Sequence, residues 1–185
     1  MTTTTAVHPF TGSFTADPDH SSFQAQLRHM GVGSFRTGFD DVEARLEPGS
    51  GGPRLTGRAL VDSITIRRPP EFRAHVVEGE DFFDARNHPE IRFESRRLQF
   101  SDDGKVALDG LLTMRGIERP ITATGTYLGP VEDIYGGRRA ALDLEAEIDR
   151  RDWGMAFQAQ LPRGGDVLSW TVRLTAHLEL VAEAD

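Results

Sequence analysis

The 185-residue chain contains no cysteine and a single lysine, Lys105. Without thiols there is neither a disulfide framework nor a thiolate metal site, and cysteine usage gives no reading of the redox compartment. Positive charge is carried almost wholly by arginine, and it is scattered. With a formal net charge of −8 and no basic cluster to neutralise a phosphate backbone, nucleic acid is not an expected partner. No apolar run approaches the roughly 20 residues that a membrane-spanning helix needs. The stretch from Met1 to His20 also lacks the basic start and apolar core of a secretory signal, so a cytoplasmic protein is expected.

What is present suits one globular domain. The length is enough to bury a core but short for two domains, and 19 Gly with 10 Pro point to many turns. Residues 13–182 are expected to form the domain, with 1–12 as a flexible leading segment.

Apolar residues recur with period 2 almost everywhere, the signature of half-buried strands. Phe23, Ala25 and Leu27 share one face, and His29 falls on that same side. Phe35, Thr37 and Phe39 are in phase until Asp40-Asp41, after which the parity shifts to Val42, Ala44 and Leu46. Leu55, Gly57, Ala59 and Val61 shift in the same way before Ile64 and Ile66. A β-bulge in each strand accounts for such slips. Ile91 and Phe93 mark another strand within Glu90 to Phe100. Later runs through Val106 to Met114, Ile121 to Tyr127 and Ala140 to Ile148 alternate cleanly. The last, Leu168 to Leu180, holds one parity throughout and makes eight. Only Pro69 to Asp84 departs, with proline at a helix start and Phe72, Val76 and Val77 at helical spacing; one or two short helices are expected there.

Eight alternating strands favour a closed up-and-down barrel or a two-sheet sandwich. The presumed inner face mixes large side chains with small ones, including Gly57, Ala59, Ala123, Ala146 and Ala176, which leave room. The strand from Leu168 to Val181 would extend ~45 Å at ~3.3 Å per residue, so any cavity would be long. An elongated apolar ligand is the expectation; a barrel filled by its own side chains and used as an interaction module is the alternative. The large inward residues that would touch a ligand are Phe23, Leu27, Phe35, Phe39, Leu108, Leu112, Met114, Tyr127, Leu142 and Leu174, joined by His29, Trp153, Phe157 and Trp170. Arg115 and Arg119 flank Gly116 in a tight turn and could meet an anionic head group.

Catalytic chemistry is poorly represented. The six histidines form no metal-binding spacing, Asp19-His20-Ser21 is adjacent only in sequence, and no carboxylate pair stands out as acid and base. No catalytic residue, metal or required cofactor is therefore expected. The rival reading is an enzyme using His29 for proton transfer on a prenyl or polyketide-like substrate.

Four motifs in order give a wider resemblance: Asp17-Pro18-Asp19-His20-Ser21-Ser22-Phe23 leading to Arg28-His29; Asp81-Phe82-Phe83-Asp84 followed by His88-Pro89-Glu90-Ile91-Arg92-Phe93; Leu112-Thr113-Met114-Arg115-Gly116-Ile117-Glu118-Arg119-Pro120-Ile121-Thr122; and Arg150-Arg151-Asp152-Trp153-Gly154-Met155. Together they resemble the YceI-like, polyisoprenoid-binding proteins across nearly the whole chain. That resemblance implies an extended eight-stranded antiparallel lipocalin-like β-barrel, an isoprenoid chain threaded through it as a prenyl pyrophosphate or isoprenoid quinone, and a homodimer. Relatives usually carry a polar and basic segment ahead of Asp81. Here Arg73 and Val77 fit that pattern, but Ala74, Val76, Glu78 and Gly79 do not, which weakens an anionic head-group contact at this helix.

Overall fold

The computed structural model describes residues 9–183. Residues 1–8, most of the leading segment, lie outside it. Ten strand segments build the wall: β1 (Phe14–Ala16), β2 (Ser22–His29), β3 (Gly33–Phe39), β4 (Val42–Glu47), β5 (Arg54–Leu60), β6 (Glu90–Phe100), β7 (Lys105–Met114), β8 (Ile117–Glu132), β9 (Arg138–Asp149) and β10 (Leu168–Ala182). β1 and β2 lie in succession along β10, and β3 and β4 form one bent strand beside them, so the ten segments make eight wall strands. All ladders between these strands are antiparallel. β1 pairs with β4 on one side and with β10 on the other, closing the eight-stranded barrel.

The alternation works because one face of each strand is dry. In β9, Ala140, Leu142, Leu144, Ala146 and Ile148 are buried while Asp143 and Glu147 are exposed. A two-residue turn joins β7 to β8, with Arg115 and Gly116 both at positive φ and Met114 paired with Ile117. Such a turn matches the natural twist of the strands it connects.

Two parity slips have physical causes different from the expected bulges. At Asp40-Asp41 the strand changes neighbours: β3 pairs with β2, whereas β4 pairs with β1 and β5. At Val61–Ser63 the chain makes a 3₁₀ turn, after which Ile64 bridges to Phe39. Register shifts occur instead at Ser95/Arg97, Leu128/Val131 and Leu168/Val172.

One helix, α1 (Pro70–Glu78), occupies the expected region, with Pro70 in its first turn where no intrahelical donor is needed. Val76 and Val77 are buried, and residues 80–83 form a turn after the helix. The core consequently has two parts. At the helix end, Val76, Val77, Phe82, Trp153 and Met155 pack over Met114 and Ile148. At the opposite end, Phe10, Phe14, Leu46, Leu142 and Leu180 pack together, all nearly inaccessible. Phe10 belongs to the leading segment in sequence but sits in this core, with ring centroids 5.6 Å from Phe14 and 4.9 Å from Phe100.

Candidate functional site: an apolar cavity at the barrel waist

Between the two packed ends lies a half-open cavity of about 100 Å³. That is below the ~300–1,000 Å³ usual for small-molecule sites, so a long occupant requires the lining side chains to move apart. Its exposed inner surface is apolar throughout. Strand periodicity explains the lining: Leu55, Gly57 and Ala59 from β5, Leu108 and Leu112 from β7, Ile121 and Ala123 from β8, Leu144 and Ala146 from β9, and Leu174, Ala176 and Leu178 from β10 share the inward parity of their strands. Phe93 crosses the space and packs against both ends of the core.

Small residues make this cavity, though not every inward glycine leaves space. A Cβ on Gly57 would meet nothing closer than 3.7 Å, whereas one on Gly110 would fall 2.5 Å from the Phe93 ring. On Gly125 it would come within 1.7 Å of the Asp143 carbonyl oxygen. Gly57 borders free volume, while the other two allow close packing.

The sequence-predicted contacts divide by position. Phe23, Leu108, Leu112 and Leu174 border the cavity. Leu27, Phe35, Phe39, Met114, Trp153 and Phe157 belong to or pack against the helix-end core, and Leu142 and Tyr127 to the opposite one. Trp170 packs beneath the Arg150 guanidinium, 4.2 Å from the ring centroid, with Arg151 at 5.0 Å. His29 stands at the β2–β3 hairpin, paired with Gly33, away from the cavity lining. Sequence reading missed Val42, Ala44, Ile91, Phe93 and Ile121 as lining residues. The available signal was the set of small inward residues, which marks where large neighbours face free space.

Arg115 and Arg119 are engaged structurally. Arg115 Nη1 donates to the Glu80 and Phe82 carbonyls, each at 2.6 Å, and fastens the β7–β8 turn to the segment after α1. Arg119 donates to the Asp152 carbonyl at 3.2 Å. Elsewhere on the wall, Arg58 lies between Glu43 and Glu90, and Arg173 pairs with Glu145. These guanidiniums are neutralised by cross-strand partners, and at the exposed surface such pairs add little to stability.

A tighter polar cluster sits where β1 gives way to β2. Arg139 Nη1 lies 2.8 Å from Asp17 and 2.5 Å from Glu179, while its Nε reaches Asp133 at 3.2 Å. His20 Nδ1 is 3.1 Å from Asp17. Asp17, His20 and Glu179 bring potential ligand atoms within 4.8 Å of one another, but the Arg139 cation already bridges both carboxylates. The Arg139 hydrogen bond lowers the Asp17 pKa from 3.8 to about 2. A folded-state pKa below the unfolded value gives stability above pH 4 that is lost as pH falls through about 2. Arg139→Gln is expected to move the Asp17 carboxyl titration, followed by NMR, upward toward 3.8 and to reduce the acid-induced loss of stability between these pH values.

Closed antiparallel wall, apolar interior and plugged ends define a lipocalin-like barrel. The profile of the YceI-like domain matches residues 14–180, and the chain belongs to this family. A UPF0312 protein of Staphylococcus aureus is 26% identical over 169 residues, covering 90% of this chain and 96% of that protein. A Pseudomonas fluorescens UPF0312 protein is 28% identical, covering 73% and 71% respectively. Among solved structures, BcnA of Burkholderia cenocepacia superposes with a TM-score of 0.71 at 20% identity, covering 91% of this chain and 99% of its own. A polyisoprenoid binding domain from Saccharophagus degradans, implicated in plant cell wall breakdown, gives 0.68 at 12% identity, covering 92% and 98%. These likenesses establish the shared barrel. Among the described residues, no helix is long and apolar enough to cross a membrane.

Proposed function

We propose that this protein binds a long isoprenoid lipid non-catalytically, as carrier or reservoir, with the tail in the waist cavity. The observation that carries this reading is the wholly apolar inner surface of a cavity bounded by Phe23, Leu108, Leu112 and Leu174. The polyisoprenoid binding domain with the same fold supports the chemical class. Each buried CH₂ contributes roughly 0.8 kcal/mol, so several isoprene units can offset association costs of about 4–15 kcal/mol without an internal ion pair. Tail length and shape therefore govern selection more than head charge, for both a prenyl pyrophosphate and an isoprenoid quinone.

Organic extraction of the purified protein followed by mass spectrometry tests the reading. Recovery of an isoprenoid, or stoichiometric uptake of an added prenyl alcohol, supports it; the absence of both overturns it. His29→Ala is expected to leave prenyl-alcohol affinity within twofold of the parent in a fluorescence titration, because His29 does not line the cavity. A larger loss would reopen the proton-transfer reading. The proposed setting is cytoplasmic and the proposed assembly a homodimer, checked by cell fractionation and light scattering.

A further inference from the structure

We propose that the apolar ligand passes through the barrel wall, by a window between Ala16–Ser22 and Asp40–Ala44, rather than through either end. This rests on the binding reading above. Backbone pairing across these two strands stops at Thr15 with Arg45 and resumes at Phe23 with Phe39. A strand segment that leaves its ladder must satisfy its amides and carbonyls elsewhere. Asp17 N–H donates to the Glu179 carbonyl at 2.8 Å, and the Ser21 hydroxyl accepts from Glu179 N–H at 3.0 Å. The strap is thereby fastened to β10. On the facing edge, Asp40 N–H donates to Ser63 and the Asp41 carbonyl accepts from Leu60, which fastens that edge toward β5. Each side of the unpaired stretch is held by its outer neighbour.

The cavity reaches this stretch. Val42, Glu43 and Ala44 border it from one side, and Phe23, Ala176 and Leu178 from the other. Glu43 borders the cavity through its backbone, with its carboxylate outside on the wall, so only the β4 main chain separates the apolar space from solvent there. Neither barrel end offers a comparable path. Phe10 and Phe14 fill one, and Val76, Phe82 and Trp153 the other, all buried. Reaching the waist through an end would require unpacking a core cluster; reaching it through the wall breaks no ladder hydrogen bond between the facing edges.

The rim also has a chemical preference. Asp40, Asp41 and Glu43 are exposed on the β3–β4 side, while Arg58 is engaged by Glu43 and Glu90, and Arg139 by Asp17, Asp133 and Glu179. The carboxylates of Asp40 and Asp41, beside guanidiniums already committed to other acids, repel an anionic head. An isoprenoid with an uncharged head, an alcohol or quinone, therefore passes more readily than its pyrophosphate.

The absence of cysteine permits a direct test. Ser22 and Asp40 are the next positions in the register that pairs Phe23 with Phe39, and neither lines the cavity, so Ser22→Cys with Asp40→Cys can staple the window, and reductant releases it. Stopped-flow tryptophan fluorescence follows farnesol uptake by the oxidised and reduced forms of the full chain. Expected are at least a tenfold slower uptake when oxidised, unchanged stoichiometry at equilibrium, and recovery on reduction. Equal rates for the two forms, with the disulfide verified by thiol titration, overturn the window. Should the disulfide not form, Asp41→Cys carrying a polyethylene glycol maleimide supplies the block at an exposed position outside the lining, with the same expected slowing and the same overturning result. Phe10→Ala provides the opposite arm: faster uptake from loosening that end would place the route there. No farnesol uptake by the unmodified protein would instead defeat the binding reading itself. Farnesyl pyrophosphate is expected to enter the unmodified protein more slowly than farnesol, and equal or faster entry would remove the rim preference.

Discussion

Trp153→Ala is expected to lower unfolding stability by about 3–5 kcal/mol, the cost typical of deleting a buried aromatic side chain. Trp153 is 1% exposed in the helix-end core. The 3₁₀ turn Arg150–Trp153 sets its position, ending at Gly154, whose left-handed conformation at φ +71° lets the chain reverse without strain. Its indole N–H donates to the Leu112 carbonyl at 3.1 Å and fixes the end of β9 over β7. Alanine removes both the ring volume and this donor. Trp153→Phe keeps most of the volume and loses the hydrogen bond, so its cost is expected near 1 kcal/mol. Urea denaturation followed by circular dichroism separates them: the midpoint falls sharply for alanine and slightly for phenylalanine, with little change in slope. Equal, small effects would mean that this end of the barrel is loosely packed.

The strands were legible because a barrel wall is dry on one side and wet on the other, which writes a period of two into each segment. β9 and β10 show this most directly, through Ala140 to Ile148 and Leu168 to Leu180. The causes of the slips were less legible. A bulge, a 3₁₀ turn and a change of neighbour all displace the inward parity, and only pairing partners distinguish Val61–Ser63 from Asp40-Asp41. Phe10 carried no periodic signal, since Pro9 and Gly12 surround it with turn chemistry, yet the core opposite the helix end accepts it. Its burial is a tertiary fact.

The site was legible as a property and illegible as a list. Small residues on the inward parity announced free volume, but the choice among large inward residues depended on height along the barrel axis. Phe39 and Met114 alternate as regularly as Leu108 and Leu112, and differ from them only in not bounding the cavity. Trp170 looked inward by parity and instead lies against Arg150, where the β10 register shifts between Leu168 and Val172. A local irregularity re-aims a side chain without altering the composition around it.

The same distinction predicts opposite outcomes for small-to-large changes in one layer of the barrel. Ala146→Phe places an aromatic ring in the waist cavity, where it is expected to weaken prenyl-alcohol binding at least tenfold, about 1.4 kcal/mol. Because the ring fills space otherwise free of atoms, stability should stay level or rise by roughly 0.5–2 kcal/mol. Gly57→Ala is the milder version; its Cβ has room, and the lost backbone freedom of the unfolded chain should stabilise by about 0.4–1 kcal/mol. Gly125→Ala shares the inward parity, but its Cβ would fall 1.7 Å from the Asp143 carbonyl oxygen, so it must separate β8 from β9 and lose stability. Thermal unfolding and fluorescence titration on the three variants give the check. Binding lost with stability retained in Ala146→Phe identifies the waist as a ligand space; binding unchanged beside a stabilised fold would mean that the ligand sits elsewhere. Free volume retained in a wall that could have been filled costs the folded state dispersion contacts, and occupancy by a greasy tail restores them.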